Sequence, residues 1–156
     1  MKLINSSLMD QLVIDAECSD RKRKNYNFHQ HMEDTMHRML NAIQPGSYVQ
    51  PHKHENPDKR EVFLVLKGRL LAILFSEDGT IIQKTILDPR EGNFGIEIPP
   101  GRYHTVISLE EGTVAYEIKD GPYTVADDKN FAPWAPDESS QEKSKHYMEW
   151  LLAEAL

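Results

Sequence analysis

The run Gly46-Ser47-Tyr48-Val49-Gln50-Pro51-His52-Lys53-His54 turns at its glycine and then sets two imidazoles two residues apart in a strand-like segment. Side chains on a β-strand return to one face every second residue, so His52 and His54 point the same way. Six residues separate His54 from Glu61, and six more separate Glu61 from Gly68, a glycine placed for a tight turn. Much later, Pro99-Pro100-Gly101-Arg102-Tyr103-His104 turns the chain into a segment bearing a further histidine. If the shared face is the interior of a barrel, three imidazoles and one carboxylate converge.

The surrounding sequence supports a barrel. Strand-like segments are expected at 36–44, 47–54, 61–67, 70–76, 81–87, 96–98, 103–109 and 113–119, separated by Pro-Gly, Lys-Gly, Asp-Gly and Gly-Asn turn signals. About eight short strands without a crossover helix between them disfavour a parallel α/β sheet and favour a double-sheet jelly roll, which leaves few exposed edges. Ser6 or Ser7 is placed to cap a short helix carrying Leu8, Leu12, Val13 and Ala16. Ser139 or Ser140 is placed to cap a last helix with Tyr147, Trp150 and Leu151 on one stripe, which packs on the barrel or serves a homodimer contact. The expected organisation is one domain: an N-terminal helix and extended segment over 1–35, a barrel core over 36–120, and a C-terminal loop and helix over 121–156.

The 156 residues are enough to bury roughly two-thirds of the extended surface, so no disulfide staple is needed. Cys18 stands alone, which suits a reducing compartment. No apolar run is long enough to span a bilayer, and Asp10 and Asp15 interrupt any leader-like stretch, so the expected location is the cytoplasm and no membrane partner is expected. A formal charge of −7 argues against nucleic acid as a partner. The basic run Arg21-Lys22-Arg23-Lys24 is the exception, read as a solvated loop or a local anion contact.

A lone His-x-His pair carries little weight, and His29-Gln30-His31 is a second one in the same chain. The alternative for His52, His54, Glu61 and His104 is a set of ordinary strand residues, but burying four bare polar groups together is costly without a shared partner. Three neutral imidazoles and a carboxylate suit one divalent transition metal, Fe, Mn, Ni or Zn, and the ligand set does not choose among them.

These stretches resemble the two motifs of the cupin superfamily. Gly46 to Gly68 is similar to the first, and Pro99-x-Gly101-x-x-His104 to the second; the gap before Glu61 is long, Asn93 stands where a glycine is usual, and Ser108 replaces a terminal asparagine. More specifically the chain resembles the WbuC-type cupin-fold metalloproteins associated with bacterial surface-polysaccharide gene clusters. That likeness rests on 21–29, on 45–54, and on Trp134-Ala135-Pro136-Asp137-Glu138. It implies a cupin-type double-stranded β-helix with a metal site, and a small sugar-like ligand, phosphorylated or nucleotide-linked forms included.

Four protein ligands on a six-coordinate metal leave two positions open. One reading is an enzyme of isomerase, epimerase or oxygenase type, with His29, Tyr103 or Glu97 moving protons. Arg23, Asn25, Asn27 and His29 alternate in a segment able to run as an extra strand across the barrel mouth, where arginine reads phosphate or carboxylate. The other reading is a non-catalytic sugar-binding or regulatory module; fold alone does not choose.

Overall fold

The computed structural model describes residues 1–124 and 128–156. Two five-stranded antiparallel sheets face each other, with a helix on the outside of each. The first sheet has the order β1-β2-β9-β4-β7, from Arg23–Asn27 (β1), Met36–Ile43 (β2), Glu61–Lys67 (β4), Gly95–Ile98 (β7) and Thr113–Asp120 (β9). The second has the order β10-β3-β8-β5-β6, from His52–Lys53 (β3), Leu70–Phe75 (β5), Ile81–Leu87 (β6), Tyr103–Ser108 (β8) and Asn130–Phe131 (β10). Helices α1 (Ser6–Glu17) and α2 (Gln141–Ala155) complete the chain. This is the cupin-type jelly-roll barrel with short terminal helices.

Period-two alternation decides what each strand sends inward. Along β8, Tyr103 and Ile107 face α2 while Val106 enters the space between the sheets. Along β9, Val114 and Tyr116 face α1 while Ala115 enters that space. Phe63, Val65, Leu70, Ala72, Leu87 and Val106 fill one end of the interior with apolar side chains. The same inward rows turn polar at the other end, through Asn41 on β2, Glu61 on β4, His104 on β8, and Glu117 and Lys119 on β9. A cavity of about 730 Å³ opens there.

Each helix covers a sheet with one stripe. Leu12 and Ala16 of α1 pack on Leu40, Ala42 and Val114, while Met148, Leu151 and Ala155 of α2 pack on Leu71, Ile73 and Phe75. Full burial of one such leucine is worth about 1.5–3 kcal/mol, which fixes the helix faces firmly. Tyr147 packs with this cluster, whereas Trp150 is largely exposed. The cap of α1 is Asn5, whose Oδ1 accepts from Leu8 N at 3.0 Å, rather than Ser6 or Ser7. Asparagine is as good a cap as serine, so composition could not separate them.

Two strands depart from expectation. The 47–54 segment pairs as a strand only at His52–Lys53, because Pro51 lacks an N–H and the residues before it are held by side chains. Thr105 Oγ1 donates to Val49 O at 2.6 Å and an Arg23 Nη donates to Tyr48 O at 2.7 Å. Asn130–Phe131, in a region read as loop, pairs with β3 as β10.

Candidate metal centre

His52 and His104 are cross-strand partners in the second sheet, and Glu61 begins β4 in the first, directly opposite Ile98 of β7. His54 follows β3 immediately. The four side chains therefore meet across the gap between the sheets, all buried, with one ligand atom from each lying within 4.8 Å of the others. That span is close to the width of a single coordination sphere, about twice a metal–ligand bond of about 2.0–2.2 Å.

The hydrogen bonds behind the rings decide which nitrogen faces the centre. His52 Nδ1 lies 2.9 Å from Gln50 O, and His104 Nδ1 lies 2.8 Å from Arg102 O. His54 Nδ1 is bonded to Asp128 O. A carbonyl can only accept, so each Nδ1 carries the proton and each Nε2 presents a lone pair inward. Among the described residues, the buried Nε2 of His52 and Nε2 of His54 have no hydrogen-bond partner. Oε2 of Glu61 lies 2.8 Å from His104 Nε2 and 3.5 Å from His54 Nε2. Four acceptors aimed at one point repel unless a cation sits among them. Burial holds the His52 imidazole well below its usual pKa and so in the neutral, ligating form, with Lys129 adding to the effect. The residues present thus fit a divalent transition metal.

Around this cluster lies a polar floor that the sequence did not disclose. Asn41 Nδ2 donates to Glu117 Oε2, and burial together with the nearby Glu61 charge pushes the Glu117 pKa up to about 8. Lys119 and Lys59 clamp the Asp128 carboxylate at 2.7 and 3.0 Å, which fixes the carbonyl that orients His54. Glu117 and Lys119 alternate with Val114, Tyr116 and Ile118 along β9, so the two rows take opposite faces of the sheet. Val114 and Tyr116 pack against α1, and Glu117 and Lys119 line the cavity.

The remaining candidates divide. Arg23, Asn25, Asn27 and His29 all line the cavity, with β1 paired to β2 at the sheet edge. His29 stacks on His37 at 4.1 Å between ring centroids, and its Nδ1 lies 3.2 Å from the Arg38 backbone. Asn25 Nδ2 donates to Asn27 Oδ1 at 2.6 Å. The Arg23 guanidinium is already committed: its two Nη atoms reach Glu138 at 2.6 Å, Tyr48 O at 2.7 Å and Ser47 Oγ at 3.2 Å. Tyr103 lies away from the cavity because it neighbours the inward His104 on one strand; its ring packs against Trp134 at 5.6 Å. Glu97 sits exposed on edge strand β7, on the face opposite Ile98.

No curated protein matches the chain significantly. Among solved structures, KdgF from Halomonas sp. aligns with a TM-score of 0.51 at 16% identity, over 67% of this chain and 82% of that one. Protein SO0799 from Shewanella oneidensis aligns at 0.56 and 10% identity, over 83% and 85%. The capsular polysaccharide assembling protein CapF from Staphylococcus aureus aligns at 0.57 and 22% identity, over 69% of this chain and 28% of CapF, so the alignment spans under a third of that protein. At these identities the likeness establishes the fold. Residues 4–87, more than half of the sequence, match the family described as domain of unknown function DUF6016, and the chain belongs to that family.

Proposed function

We propose that this protein holds one divalent transition metal on His52, His54, Glu61 and His104 and presents to it a small sugar-like ligand, phosphorylated or nucleotide-linked forms included, in surface-polysaccharide metabolism. The observation that carries this reading is the convergence of His52, His54, Glu61 and His104, one ligand atom from each within 4.8 Å of the others, with each Nδ1 committed to a backbone carbonyl. A bound divalent ion supplies Lewis acidity to a ligand oxygen. The protein's own contribution is placement. The cavity's size suits a sugar, with Asn25, Asn27 and His29 offering hydrogen bonds at the mouth and Val49, Phe63 and Val106 giving an apolar backing. The sequence resemblance to WbuC-type proteins and the fold shared with a capsular polysaccharide assembling protein support the sugar-like class.

Titration calorimetry of metal-loaded protein against a panel of nucleotide sugars tests this. Binding is expected for at least one member, lost on chelation and in His104→Ala, and chromatography of the incubated mixture separates turnover from binding alone. Failure of every member to bind the metal-loaded protein would overturn the sugar assignment.

A further inference from the structure

The cavity is lined by charges of both signs, and nearly all are matched internally. Arg21 and Arg23 pair with Glu138 at 3.1 and 2.6 Å. Lys119 is spent on Asp128. Lys24 is exposed on β1, at the rim. Lys129 differs from all of these: among the described residues it makes no ion pair and no side-chain hydrogen bond, yet it lines the cavity and is only partly exposed. It lies one residue from Asp128 and one from β10, the strand beside His52, so its backbone is tied to the metal cluster's own supports. Its charge is felt at Glu61, Glu117 and His52 on the floor and at Arg23 near the mouth.

An ammonium drawn into a cavity without a partner oxygen is costly. Burial lowers the Lys129 pKa, which is the signature of that cost, while Glu61 and Glu117 act at a distance to raise it. A dication on three neutral imidazoles and one carboxylate keeps a net positive charge, so nothing in the loaded cluster would neutralise Lys129. What fits between them is an anion.

Building on the metal-site reading, we propose that Lys129 selects the ligand's charge: the cavity takes an anionic sugar, a uronate or a sugar phosphate, whose anionic oxygens pair with Lys129 Nζ while its hydroxyls face the His52–His54–Glu61–His104 cluster. This role falls to Lys129 rather than Arg23, because the Arg23 fork is held by Glu138, Tyr48 and Ser47. Charge-assisted hydrogen bonds of this kind are the ones whose loss costs most.

The test is calorimetry with three probes, D-glucuronate, D-glucose 6-phosphate and D-glucose, on wild-type protein, Lys129→Met and Lys129→Arg, with metal content measured on every sample. Wild type is expected to bind an anionic probe at least about tenfold more tightly than glucose, and the two anions tell carboxylate from phosphate. Lys129→Met is expected to lose about ten- to hundredfold in anion affinity with glucose binding and metal content unchanged, and Lys129→Arg to recover most of it. An absent anion preference in wild type, failure of both anions to bind it, or undiminished anion binding by folded Lys129→Met would each overturn the proposal. The wild-type comparison stands even if a variant does not fold. Repeating it on chelated protein separates the two readings, since an anion preference that persists without metal supports Lys129 even where the metal assignment fails.

Discussion

Glu61→Gln is expected to lower metal affinity at least about hundredfold while leaving the metal-free protein as stable as wild type or about 1 kcal/mol more stable. The two halves have one cause. Losing a charged ligand from a four-residue set removes more than the tenfold to hundredfold typical of changing a residue behind a ligand. The amide keeps the carboxylate's shape but brings an NH₂ that can donate to the Nε2 atoms now 2.8 and 3.5 Å from Oε2. Without metal, it therefore turns repelling acceptors into a satisfied cluster. The opposite sign follows if Glu61 is the structural partner of a protonated His104: breaking such a buried pair costs about 3–5 kcal/mol. Thermal unfolding in chelator, beside metal competition titrations, separates the two, and a sharp loss of metal-free stability would count against a metal centre.

The second large effect is expected at the turn between β4 and β5. Gly68 has φ +79, and a Cβ there would meet Thr113 Oγ1 at 2.4 Å and Thr113 Cα at 2.7 Å. Thr113 is fully buried and its Cα belongs to β9, so the contact cannot be relieved by a side-chain swing. Gly68→Ala should cost about 3 kcal/mol or more, from roughly 1–2 of left-handed backbone strain and about 1–3 of overpacking. For a domain of this size that lowers the melting temperature by roughly 6–12 °C. Gly101 supplies the control, since it has φ +69 but, among the described residues, nothing within 4 Å of the added Cβ. Gly101→Ala should show the strain alone, and equal losses in the two variants would refute the close-approach explanation.

That contrast shows what sequence spacing conveys. Gly68 stands out in the sequence as a turn, but its closeness to Thr113 is a long-range contact that no local pattern carries. The same holds at the site. His52, His54, Glu61 and His104 stand out because period-two geometry and their mutual spacing leave few ways to bury them separately. The supporting residues do not, because Asn41, Glu117, Lys119 and Lys129 are ordinary strand and loop residues until the second sheet closes over them. Tyr103 shows alternation left unapplied: once His104 is taken as inward, its neighbour must face α2. Glu97 faces outward by the same alternation, flanked by Ile96 and Ile98, which both pack with the interior cluster. Arg23 does line the mouth as its alternation with Asn25 and Asn27 suggests, but Glu138, 115 residues away, occupies its guanidinium.

X-ray absorption at the metal edge, on tag-free protein purified without added metal and then on samples reloaded with Fe, Mn, Ni or Zn, tests the central claim most directly. The result expected is about one ion per chain with three imidazole nitrogens and a carboxylate oxygen at about 2.0–2.2 Å. Protein that takes up no ion, or an ion whose spectrum lacks imidazole back-scattering, would contradict it.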